Sequence, residues 1–250
     1  MTLSKTEKIV FKSSVFLSAL LFAPMTAYAM HIMEALLPVG HSIAWTIVCI
    51  PFLVSGTIRL RRLVAENRRS LMLLAMSGAF IFVISSLKIP SVTGSSSHMT
   101  GTGLAAILFG VGTTSILGVI VLIFQAILLN HGGLMTLGAN TFSMAIAGPT
   151  VTWLLFKIGR KLKINKMFSV FFAAAAGGLV TYCFTAVQLA LAFSAETGGF
   201  TPGITLFLTV FAPTQIPLAI VEGILTVLII MGMESLASRE LSHTSFMEAK

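Results

Sequence analysis

GTGLAAILFGVGTTSILGVIVLIFQAILL, residues 101–129, carries no charged side chain. Its length fits one tilted membrane helix or two shorter segments, and that choice sets the direction of every later helix. Charge decides between them. Arg59, Arg61, Arg62, Arg68 and Arg69 follow a first apolar span, Ser42 to Arg59. Lys157, Arg160, Lys161, Lys163 and Lys166 follow another, residues 139–156. The positive-inside rule puts both clusters in the cytoplasm. Leu71 to Leu87 then runs outward, and the polar stretch 88–100 lies outside. The span at 139–156 must also start outside, so an even number of crossings lies between. The run therefore divides into spans at 102–112 and 114–129, broken at Gly110-Val111-Gly112-Thr113-Thr114. The first is too short to cross alone and depends on Gly-rich or water-lined neighbours at its ends.

The rest of the chain agrees. Of 250 residues, 56% are hydrophobic, 10% are charged and none is Asp, and the mean hydropathy is +0.98. That is a membrane composition. Phe168 to Phe193 runs outward, Ser194 to Gly203 forms an outer loop, and Ile204 to Met233 returns inward, interrupted at residues 212–217. Glu234 to Lys250 is a cytoplasmic tail. The expected fold is an all-α polytopic membrane protein of about seven transmembrane helices with an ordered outer loop. Its N-terminus is outside and its C-terminus cytoplasmic, in a bacterial inner membrane. Only Lys88 breaks the absence of Lys and Arg on the outer side. The net charge of +8 is thus explained by topology, with no nucleic-acid partner. Cys49 and Cys183 sit in apolar runs and read as buried structural thiols. There is no Walker A loop, so this chain does not itself hydrolyse ATP.

Residues 1–29 read as a cleaved signal peptide. Lys5, Lys8 and Lys12 precede a short apolar core, and Ala27-Tyr28-Ala29 is a small-x-small cleavage pattern. Residues 30–250 then form a single transmembrane domain. A cut after Ala29 makes Met30 the first residue and His31 the second. The free amine, the His31 backbone nitrogen and its imidazole Nδ1 could close two fused chelate rings on one metal. Such planar nitrogen coordination suits Ni(II) or Cu(II), with Co(II) a third candidate. Of the other histidines, His41, His98, His131 and His243, His98 stands out, because its Gly/Ser-rich loop can fold back into the bundle and fill the open corner.

Ser96 and Ser97 could orient His98 or gate the site, and Thr136 and Asn140 could hydrogen-bond the metal-bound imidazoles. The glycines of 132–138 equally suit close helix packing. Glu222, an acid inside the last span, needs a polar partner there. The scattered methionines read as core packing.

Four motifs occur in order: Met-His-Ile-Met-Glu at 30–34, Ser95 to Gly101, Gly132 to Asn140 and Gln215 to Gly223. Together they resemble the CbiM family, the cobalt/nickel substrate-binding (S) subunit of energy-coupling-factor importers. The resemblance covers nearly all the chain beyond Met30. It implies a non-catalytic, seven-helix subunit that captures Co(II) or Ni(II) as transported substrate, with no intrinsic cofactor. The metal ligands it implies are Met30, His31 and His98. The partners it implies are a transmembrane coupling (T) subunit, a pair of ABC ATPases and a small accessory membrane protein. The signal peptide resembles the cobalt branch, which feeds cobalamin biosynthesis. Ala35 stands where the family leads one to expect glycine. Two other classes stand beside it: a stand-alone metal facilitator, which needs a continuous polar path where the spans hold only Glu222 and a few Thr and Gln, and an intramembrane hydrolase, which needs a helix-embedded nucleophile that no motif here supplies.

Overall fold

The computed structural model describes residues 31–66, 68, 70–90, 96–236, 241, 244 and 246. The expected signal peptide, Met30 and His243 lie outside the described residues. Six long helices make up the described chain: α1 (Val39–Glu66), α2 (Ser70–Ser86), α3 (Thr102–Leu129), α4 (Leu137–Lys161), α5 (Lys166–Ala192) and α6 (Phe200–Leu236). All except α2, at 17 residues, are long and apolar enough to cross a membrane. Their outer faces carry Ile43, Ile47, Phe124, Ile127, Phe172 and Leu228 exposed, as a lipid-facing surface requires.

The run 101–129 bends back on itself. A Cβ on Gly101 would lie 3.0 Å from Ile81 Cα, and Gln125 Nε2 donates to Ser85 Oγ at 2.7 Å. Ile81 and Ser85 are one turn apart on α2, whereas a straight α3 would separate residues 101 and 125 by about 36 Å. The reversal sits at Gly110, with φ 76 and ψ 174, a backbone region essentially confined to glycine. The charge argument thus placed the break correctly to within a few residues, but Thr113 and Thr114 are already helical. The first arm, Thr102 to Phe109, is only about 12 Å long and wholly buried.

Gly110 also marks the basic end of the bundle. A Cβ there would come within 3.6 Å of Trp153 Nε1 and 3.9 Å of Arg59 Cζ. Both predicted basic clusters therefore share one end. Lys166 at the start of α5 pairs with Glu234 near the end of α6, and beside it Asn165 Oδ1 accepts from Met167 N at 2.9 Å as an N-cap.

Two spans differ from expectation. The first runs from Val39 to Glu66 rather than ending at Arg59, because arginine is a good helix former and its long stem lets the charge leave the apolar layer. The last is not interrupted at 212–217: α6 is continuous through Pro213 and Pro217. The two prolines remove the N–H groups that would bond Thr209 O and Pro213 O, a loss that membrane helices tolerate. Cys183 also departs from expectation. It lies exposed on α5, while buried Cys49 donates its thiol to Gly138 O at 3.2 Å.

Where α4 and α5 cross, small residues allow contact at backbone distance. A Cβ on Gly177 would stand 3.0 Å from Gly148 O. One apolar core packs Leu104, Leu108, Leu122, Phe156 and Val170. A second, nearer the histidines, packs Ile32, Leu37, Ala139, Leu189 and Phe211.

Candidate metal centre

Three loops converge at the end opposite the arginines. The first is the segment at 31–38. Ile32 is fully buried, and its peptide is clamped on both sides. Its N–H donates to Asn140 Oδ1 at 2.9 Å. Its carbonyl accepts from Thr136 Oγ1 at 2.6 Å and Asn140 Nδ2 at 3.0 Å. The Glu34 carboxylate accepts from Met135 N at 3.2 Å. Thr136 and Asn140 thus hold the backbone beside His31 and do not bond an imidazole, as had been expected of them. Ala35 adopts φ 60, so the bend expected of a glycine is made by alanine in the left-handed region, at about 1–2 kcal/mol.

Glu34 lies so close to the second loop that Gly133 has no room for a side chain. A Cβ there would sit 2.6 Å from Glu34 Cα. Gly133→Ala should unseat the 31–36 segment by overpacking, at about 1–3 kcal/mol, and weaken metal binding roughly ten-fold. Metal content after dialysis of the purified variant checks this, and unchanged retention would show that the seating is dispensable.

The third loop contains His98. Its ends pair as a short antiparallel ladder, β1 (Ile89–Pro90) with β2 (Ser96–Ser97), while residues 91–95 lie outside the described residues. Ser96 joins through its backbone. Ser97 Oγ bonds Thr214 Oγ1 at 2.7 Å and so ties the loop to α6 rather than to the imidazole. Gln215 Nε2 reaches His98 O at 3.4 Å. Below them the buried Glu222 accepts from Thr100 N (2.8 Å), Thr100 Oγ1 (2.5 Å) and Gly101 N (2.8 Å). The acid flagged by its expense in lipid is the acceptor for the start of α3.

These supports bring His31, His98 and His131 together, all buried, with candidate ligand atoms within 4.8 Å of one another. The His31 and His98 rings stack with centroids 4.4 Å apart, and His131 stands edge-on to both. His98 Nδ1 bonds Met99 O at 2.8 Å. A carbonyl only accepts, so Nδ1 carries the proton and Nε2 keeps its lone pair. That Nε2 is buried with no hydrogen-bond partner, as is His131 Nδ1. A ring that donates one N–H to a carbonyl and keeps the other nitrogen bare is the usual state of a metal-ligating histidine. Burial, then the neighbouring imidazoles and Lys88, lowers the His31 pKa well below its ordinary value. Burial pushes His98 down to about 4 despite its Met99 bond. His131 is lowered by burial, then by His98 and Lys88. These shifts favour neutral rings at pH 7, and His98 Nε2 and His131 Nδ1 keep bare lone pairs. His41, half-exposed on α1, is not among them.

Sequence reasoning found His31 and His98 but not the place of His131 or Met144, whose Sδ lies 3.1 Å from His31 Nε2. The only available signal was that His131 opens the glycine motif.

A helical membrane bundle with a closed nest of imidazoles at one end is the architecture of a transition-metal transporter. Two crystal structures share the fold. One is of a truncated transition metal transporter, with a TM-score of 0.72 and 26% identity, covering 82% of this chain and 98% of that one. The other, a transition metal transporter, has a TM-score of 0.74 and 24% identity, covering 85% and 96%.

The chain belongs to the CbiM family: the family model described as "cobalt uptake substrate-specific transmembrane region" matches residues 31–239. Among its relatives, the cobalt transport protein CbiM of Lachnoclostridium phytofermentans is 58% identical, covering 95% of each chain. That of Chlorobium limicola is 56% identical, over 85% of this chain and 84% of the relative. That of Nostoc sp. is 48% identical, over 95% and 91%. The protein is thus a multi-pass membrane protein of a cobalt-transport family.

Proposed function

We propose that this chain is the metal-capturing membrane subunit of an energy-coupling-factor importer for cobalt, feeding cobalamin synthesis, and that the same donor set would accept nickel. The mature chain begins at Met30 after loss of residues 1–29, and it crosses the membrane seven times, with 102–112 and 114–129 as separate spans. Met30, His31 and His98 ligate the ion. A transmembrane coupling subunit, a pair of ABC ATPases and a small accessory protein supply the energy for release inward.

The observation that carries this reading is the bare, fully buried His98 Nε2 in the nest with His31. Charge supports the amide chelate. A dication among neutral imidazoles would be buried without compensation. A deprotonated His31 amide supplies one negative charge, and Glu222, hydrogen-bonded two residues from His98, supplies a second.

A second donor set is favoured by a specific contact: His131 Nε2 lies 2.8 Å from His31 Nδ1, so three imidazoles alone could hold the ion. Acidity separates the two. A free amine has a pKa of about 8, and amide ligation also releases a proton. Affinity for Co(II) should therefore fall steadily as pH drops from 8 to 6, and acetylation of the Met30 amine should abolish tight binding. For three imidazoles already held neutral, with His98 near 4, affinity should stay flat down to about pH 5 and acetylation should change nothing. Isothermal titration of protein whose N-terminus has been sequenced decides between them.

A further inference from the structure

We propose that Met144 is a positioning residue that fixes the tautomer of His31 and thereby commits its Nδ1 lone pair to the metal. The inference rests on the reading of His31 Nδ1 as a ligand. Met144 is buried, and its Sδ lies 3.1 Å from His31 Nε2. A thioether has no proton and can only accept. The contact is a hydrogen bond only if His31 Nε2 carries the proton, which leaves Nδ1 bare in a neutral ring. The 2.8 Å partner of that Nδ1, His131 Nε2, must then donate. His131 Nδ1 is in turn bare, matching its lack of a partner. Two acceptor-only groups, the Met144 sulfur and the Met99 carbonyl, thus set the protons of all three rings. In the empty protein the His131 N–H covers the lone pair that the ion takes on arrival.

The local backbone explains how Met144 reaches this place. α4 opens with a short α-turn and then widens into a π-helix over Thr141–Ala147. The Gly148 N–H bonds Ser143 O, five residues back. Positions four apart share one helix face. Asn140 and Met144 therefore point to the same side, one holding the Ile32 peptide and the other the His31 ring. π-bulges of this kind are frequent at functional sites.

The test compares Met144→Leu, similar in volume but without an acceptor, with Met144→Gln, which restores one. Two-bond proton–nitrogen spectra of the metal-free protein report the His31 tautomer, and titration with Co(II) alone reports affinity. In Met144→Leu, His31 should shift its proton to Nδ1, where His131 Nε2 can accept it. Affinity should then fall about three- to ten-fold, the equivalent of one net hydrogen bond. Met144→Gln should restore both the wild-type tautomer and the affinity. Packing alone would move neither the tautomer nor its rescue. If Met144→Leu keeps His31 protonated at Nε2 with wild-type affinity, the inference is overturned. His98→Ala serves as the control: were it to bind Co(II) like wild type, the metal-site reading itself would fail, whatever the tautomer result.

Discussion

His98→Ala should bind Co(II) or Ni(II) more than about 100-fold more weakly than the wild type while keeping its fold, a loss beyond that of an outer hydrogen-bond partner. The backbone of the His98 loop does not rely on the imidazole. It is held from below by Glu222 through Thr100 and Gly101, from the side by the Ser97–Thr214 bond, and by Gln215 at the His98 carbonyl. The ring itself makes one bond, to the neighbouring Met99 carbonyl. Its other nitrogen faces the nest without a partner. Removal therefore empties one corner of the site and leaves the surrounding contacts intact. Metal retained after gel filtration, read beside thermal unfolding in detergent, separates the two effects. Wild-type retention by a folded variant would remove His98 from the ligand set.

The parts of this fold that could be read from the chain are those imposed by the membrane. Charge bookkeeping required a reversal inside residues 101–129, and Gly110 supplies it at a backbone angle other residues avoid. Glu222 was conspicuous because a lone acid in lipid needs partners, and it has three donors. The prolines of α6 misled, since helix breaking by proline in water is a weaker rule inside a membrane bundle. His131 and Met144 escaped for a different reason. Their meeting with His31 depends on a segment at 31–36 seated against Gly133, which no periodicity announces. Asn140 and Thr136 were expected to bond the imidazoles. Their partner is the Ile32 peptide because the flank of a ligand must be fixed before its ring can be aimed.

Glu222→Ala should destabilise the protein by about 4 kcal/mol or more, since each buried donor left without a partner costs about 1–3 kcal/mol. The carboxylate takes the N–H groups of Thr100 and Gly101 and the Thr100 hydroxyl. Those amides belong to the N-cap Gly101 and the residue before it, and the dipole at a helix start favours negative charge nearby. Alanine withdraws all three acceptor contacts, leaves a cavity beside Gly178 and frees the chain two residues from His98. Metal affinity should fall together with stability. Glu222→Gln separates the shape of the group from its charge. Its carbonyl oxygen can still accept from the loop, and the Thr100 hydroxyl can rotate to accept from the new amide. Its expected destabilisation is therefore smaller, about 1–2 kcal/mol. The negative charge that helps neutralise a buried dication is nonetheless gone, so Co(II) affinity should drop about ten-fold even where the fold survives. Thermal unfolding and Co(II) titration of both variants read the two quantities independently. A glutamine variant with wild-type affinity would confine Glu222 to capping α3, whereas an alanine variant with unchanged stability would show that the three hydrogen bonds do not anchor the loop.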